Sequence, residues 1–175
     1  MKHQIAIATM VFALGCGDDD NSVEQPQRPG EIFAAQLEGE SFKASATTAT
    51  LWPERMEFII SGRRGSAGTL EENIQCNFPS TASPGDYPLT QEAGRAYGCL
   101  YSVKSQSRDE LWSAQEGELS LEVVDREQKL IKGSFRFVTK DTSSDPFDQE
   151  NAPSKPGGYS VEQGSFELVY REAKL

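Results

Sequence analysis

From residue 31 onward the chain predicts an all-β fold, a single antiparallel β-sandwich or small β-barrel of about eight to ten strands. Three observations carry that expectation. Apolar side chains alternate with polar ones at period two in run after run, so each strand offers one face to a core and one to water. No segment shows a helical period. Breaks rich in Gly, Pro and Asp separate the runs, as hairpin connections require.

The elements follow in order. Phe33, Ala35 and Leu37 alternate, and Phe42, Ala44 and Ala46 resume the pattern across the turn Glu38-Gly39-Glu40. Thr47, Thr48 and Thr50 continue with β-favouring residues to Leu51-Trp52, where Pro53 ends the run. Met56, Phe58 and Ile60 share a face ahead of a glycine loop, Gly62 to Gly68, and Leu70 to Phe78 is a further strand. Pro79 to Leu89 reads as turn, with Pro84-Gly85-Asp86 the tightest point. Tyr97, Cys99, Tyr101 and Val103 alternate again. Leu119, Leu121 and Val123 oppose Glu118, Ser120 and Glu122, a strand with one wet face. The turn Asp125 to Lys129 leads to Ile131, Phe135 and Phe137, and Phe166, Leu168 and Tyr170 mark the last strand. Lys132-Gly133-Ser134-Phe135 is echoed by Gln163-Gly164-Ser165-Phe166; glycine before an inward aromatic signals a bend or close backbone approach.

Ahead of the domain the pattern is different. Residues 1–15 carry Lys2 and His3, then an apolar stretch from Ile5 to Leu14, which is short of the roughly 20 residues that span a bilayer. Residues 16–30 are a polar tether with two prolines and the run Asp18-Asp19-Asp20. The segment Ala13-Leu14-Gly15-Cys16 resembles the lipobox of bacterial lipoproteins, with Ala13 where that family most often has Leu. The resemblance implies cleavage before Cys16 and acylation of its thiol and new amino end; several acyl chains give stable anchoring. The alternative is a plain secretory signal that leaves Cys16 as an incidental thiol. Gly17 stands where Asp favours inner-membrane retention in the enterobacterial sorting rule, so the resemblance implies the outer membrane. Asp18 to Asp20 read either as a surface-export tag or as a solvated tether, leaving the protein periplasm-facing or on the cell surface. With Gly39-Glu40-Ser41-Phe42 near the start and Gly164-Ser165-Phe166 near the end, the layout is similar to a group of small uncharacterised β-rich lipoproteins of Gram-negative bacteria. That likeness implies fold and location, and no activity.

Composition narrows the chemistry. Beyond residue 15 there remain 16 basic and 27 acidic side chains, a net charge of −11, which repels nucleic acid. The one histidine, His3, leaves with the signal, so Ser-His-Asp and Cys-His systems and the usual zinc sets are excluded. Cys76 and Cys99 both fall on apolar faces; in an oxidising compartment they read as a disulfide, the alternative being two buried thiols. Glu71 and Glu72 are adjacent on a strand and point to opposite faces, so they make no catalytic pair.

Three constellations remain. The stretch from Lys140 to Gly157 carries Asp141, Asp145, Asp148, Glu150 and Asn151, oxygen ligands that suit calcium, among three prolines that suit a solvated loop. Trp52, Tyr97, Tyr101 and Trp112 are candidates to line a binding surface or to fill the core. Arg63 and Arg64 are candidates for an anion or for solubility. No cofactor is implied. The expectation is a lipid-anchored envelope protein that acts by binding a glycan or small apolar molecule. The alternatives are an accessory subunit bound to another envelope protein and, more distantly, a carboxylate-based hydrolase.

Overall fold

The computed structural model describes residues 30–66, 69–90, 97–106, 108–139 and 158–173. Cys16 with the signal and most of the tether, and Asp141, Asp145, Asp148 and Glu150, lie outside the described residues.

Among the described residues the strands are β1 (Ile32–Leu37), β2 (Glu40–Lys43), β3 (Ala46–Trp52), β4 (Glu57–Gly65), β5 (Glu71–Pro79) and β6 (Gly85–Thr90). Then come β7 (Gly98–Ser105), β8 (Arg108–Asp125), β9 (Leu130–Thr139), β10 (Ser160–Val169) and the two-residue β11 (Arg171–Glu172). They form one sheet in the order β11-β3-β4-β5-β7-β8-β9-β10-β1-β2, with β6 against β8. Only the β11–β3 pairing is parallel. The sheet is curled, and its inner face carries one core. The all-β expectation is met.

β8 turns the sheet from one half to the other. Up to Ser113 it pairs with β7, and from Ala114 onward with β9. The register shift between Ala114 and Glu116 lies at that change of partner, where a bulge adds the twist that bends a strand. At the far side the curl brings β1 under β4, with the Phe33 ring against Gly62. After β10, Tyr170 sets its ring edge-on to Phe58 at 4.9 Å, and β11 then pairs with Thr50 and Leu51 of β3. Phe33, Phe58, Phe135, Tyr101 and Trp112 all lie within the shared core.

Cys76 and Cys99 form a disulfide between β5 and β7, directly opposite in register and buried, with Cα atoms 4.1 Å apart. The bridge encloses β6. A loop of this length contributes roughly 3 kcal/mol in the chain-entropy account.

Four local expectations are corrected. Gly62 to Gly65 belong to β4, because Gly62 is an inward position taken up by the Phe33 ring and both arginines pair across to β5. Gly85 starts β6 and makes no tight turn; Pro88 is tolerated there because, among the described residues, β6 pairs with β8 alone. Met56 is exposed at φ 50° in the turn before β4, off the face of Phe58 and Ile60. A register shift between Leu121 and Val123 moves the inward position to Val124, which packs on the core.

Candidate functional site

The pairing register lines up the outer face of the first half as rows across strands. Thr50 faces Ile59 and Asn77; Thr48 faces Ser61, Gln75, Leu100 and Ser113; Ala46 faces Arg63, Asn73, Ser102 and Leu111. In these rows the side chains are mostly short hydroxyls and amides. Bulkier groups stand at the two ends, Trp52 at one and the Lys104–Asp109 pair at the other. Small side chains between large ones leave a groove of about 420 Å³ crossing β3, β4, β5, β7 and β8. Thr50, Ser61, Asn73 and Ser102 line it half-buried, with Ile59 as its apolar floor.

The charges in the groove are mutually compensated. Arg63 reaches Glu71 at 3.1 Å, and Lys104 lies 4.0 Å from Asp109. Thr48 and Ser61 share a hydrogen bond of 2.8 Å between their hydroxyls. Beside the groove the Arg55 guanidinium stands 5.1 Å from the centre of the Trp52 ring, a cation–π contact that occupies one side of the indole.

On the inner face, one residue along, the chemistry is different. Glu72 receives Arg64 Nε at 2.6 Å and the Tyr101 hydroxyl at 2.6 Å. Arg64 also donates to the Ser41 carbonyl at 2.7 Å and lies 4.8 Å over the Phe42 ring. Glu72 holds the Arg64 guanidinium above its ordinary pKa. Burial, and then the bond to Glu72, push the Tyr101 phenol well above its ordinary value. Tyr159 and Trp112 flank the Tyr101 ring. This network closes the end of the core where β1 and β2 approach β4 and β5. It is a structural cap.

The four aromatic candidates therefore separate. Tyr101 and Trp112 are 1% and 2% exposed and fill the core, because their alternation places them on the inner face. Tyr97 stacks on Tyr87 with ring centroids 4.2 Å apart, and burial lifts its phenol above the ordinary value. Trp52 alone lines the groove. Glu71 and Glu72 do face opposite ways, one to Arg63 outside and one to Arg64 and Tyr101 inside. The arginines, read earlier as anion ligands or solubilisers, are committed to these carboxylates. The groove residues Thr48, Thr50, Ser61, Asn73 and Ser102 escaped sequence reading, which followed the apolar face of each strand. The signal available was the run of hydroxyl and amide side chains at the outward positions of β3, β4, β5 and β7.

Among the described residues no group of three or more His, Cys, Asp or Glu side chains is placed to hold a metal ion. None of their helices is long and apolar enough to cross a membrane.

Fold and groove together define a curled all-β domain with a filled interior and a neutral binding-sized groove on one outer face. The chain belongs to the family described as a domain of unknown function, DUF6252, whose sequence model matches residues 30–168. Neither the curated proteins nor the solved structures yield a match.

Proposed function

We propose that this chain is a lipoprotein anchored through Cys16 in the bacterial outer membrane, whose β domain binds a ligand without transforming it. The groove on the outer face of β3, β4, β5, β7 and β8 is the binding site. The observation that carries this reading is a recess of ligand size lined by hydroxyls and amides, on a face that the fold does not need for its core. A ligand in the interior is disfavoured by the rings of Phe33, Phe135, Tyr101 and Trp112 that fill it. The two carboxylates lining the groove, Glu71 and Asp109, each face a cation, which suits a passive site better than acid–base work. The accessory-subunit alternative predicts an exposed apolar patch or a bare strand edge; part of the β3 edge is taken by β11, while β2 ends the sheet on its other side.

The test uses the ¹⁵N-labelled full chain in detergent and a solubilised extract of bacterial envelopes. The indole N–H of Trp52 and the side-chain amide of Asn73 shift on addition of the extract, while Trp112 does not. Ser61→Trp, which fills the groove from a half-buried outer position, abolishes the shifts. Shifts that spare Trp52 and Asn73, or that survive Ser61→Trp, would overturn the groove as the site. Breakdown of the bound material over time would overturn the non-catalytic reading.

A further inference from the structure

The groove's chemistry limits what can occupy it, and we infer that its ligand is an uncharged glycan chain several sugar rings long; this rests on the groove being the binding site. Four observations lead there. The first is neutrality. The charged side chains lining the groove are Arg63, Glu71, Lys104 and Asp109, and they stand in opposite-charge pairs at 3.1 and 4.0 Å. An ionic ligand would have to compete with those pairs, and an anionic one would also meet the field of a strongly acidic protein.

The second is the polar lining itself. Hydroxyls and carboxamides both donate and accept hydrogen bonds, which matches the hydroxyls of a sugar. An apolar molecule would bury Thr50, Asn73 and Ser102 without partners, at a cost of about 1–3 kcal/mol for each unmet group. The small apolar ligand of the sequence reading is therefore disfavoured.

The third is the one aromatic ring. Trp52 stands at the end of the groove, steadied by Arg55 on one side. An indole held this way offers a flat apolar surface to the C–H face of a pyranose, while the adjacent hydroxyls address its edge.

The fourth is extent. The groove crosses five neighbouring strands, and four steps of roughly 4.8 Å make a track of roughly 19 Å. That length suits an oligosaccharide laid across the strands. The opposite outer face makes the contrast plain, since there Lys132 sits between Glu122 and Glu167, and Arg136 beside Glu118. In the groove the charged pairs share the lining with Thr48, Thr50, Ser61, Asn73 and Ser102, whose side chains are uncharged.

The experiment fractionates the same envelope extract and follows the Trp52 indole shift. The activity should survive proteinase K, pass unretained through anion- and cation-exchange resins, and disappear after periodate cleavage of vicinal diols. With the active fraction as titrant and the Asn73 side-chain amide as the readout, Trp52→Ala should weaken binding at least tenfold. Raising the salt concentration should leave the affinity unchanged within twofold, as no ion pair forms with the ligand. A periodate-resistant activity, one retained on either resin, or one destroyed by protease would overturn the glycan assignment while leaving the groove as the site. An extract that shifts neither Trp52 nor Asn73 in the wild-type protein would overturn both.

Discussion

At the scale of single residues, the inner cap is where one hydrogen bond carries the most weight. Tyr101 is 1% exposed and donates to a carboxylate that also holds Arg64. Its pKa is raised in the folded state, so its contribution is fully present below the ordinary tyrosine value of 10.0. Above that pH the unfolded chain gives up the phenolic proton while the folded chain keeps it. Stability must then fall by about 1.4 kcal/mol per pH unit from this group. Tyr101→Phe should cost about 1.5–3 kcal/mol near neutral pH, the worth of a hydrogen bond to a charged partner. The gap to wild type should close between pH 10 and 12, because the phenylalanine variant has no proton to lose there. Urea unfolding at pH 7, 10 and 11 measures this, and a gap that stays constant would show that the bond does not govern the alkaline limb. The residue also marks a boundary of sequence reading. Alternation assigned Tyr101 a strand face, yet the partner Glu72 lies 29 positions away and only the β5–β7 register reveals it.

Among elements, the echoed tetrapeptides illustrate how much of the sheet was legible and where legibility ended. Lys132-Gly133-Ser134-Phe135 and Gln163-Gly164-Ser165-Phe166 read as two similar stretches of strand. In the structure β9 and β10 are antiparallel neighbours, with Gly133 opposite Phe166, Ser134 opposite Ser165, and Phe135 opposite Gly164. Each glycine therefore makes room for the other strand's aromatic ring. A Cβ built on Gly164 would stand 2.4 Å from the Phe135 ring and 2.6 Å from its carbonyl oxygen. Gly164→Ala should thus destabilise by about 1–3 kcal/mol through overpacking. Combining it with Phe135→Leu should cost less than the sum of the two changes by about 0.5 kcal/mol or more, since the smaller side chain relieves part of the clash. Strict additivity in denaturant unfolding would refute the reciprocal packing. The alternating runs around Phe58, Ile74, Leu119 and Phe166 were readable because burial of one face imposes period two. The shift near Glu122 was not, because an inserted bulge residue reverses the phase without changing composition. Nor was β6 readable as a strand. Pro84, Gly85 and Pro88 mimic a turn, and its pairing with β8 depends on residues 26 to 36 positions away.

Across the whole molecule, the sheet has one inner face and two outer faces of opposite character. The second half presents Glu122, Lys132 and Glu167 in a charged ladder, and the first half presents the neutral groove. In a chain of net −11 beyond residue 15, a recessed face whose charged lining residues stand in opposite-charge pairs supports the proposed neutral ligand. The proposed anchoring would make sense of that division. A tethered domain needs solubility over most of its surface and a single face for recognition, and attachment at a surface raises its effective concentration towards ligands of the same envelope. The prediction at this scale concerns Cys16, the residue on which the lipobox resemblance turns. Cys16→Ser should abolish labelling by an alkynyl fatty acid and move the protein from the membrane pellet to the soluble fraction. The folded domain should be untouched, with the Cys76–Cys99 disulfide still formed and the same unfolding midpoint, because the lipid attaches outside the sheet. Residual labelling would point to acylation elsewhere. Membrane retention without labelling would transfer the anchoring role to the β domain itself, and the outer faces just contrasted would have to supply it. Ile32, Val138 and Val169 are exposed amid charged neighbours on the second half, and Leu111 stands beside the hydroxyls of the first. Those scattered side chains, and not a lipid, would then be what the described residues offer to the membrane.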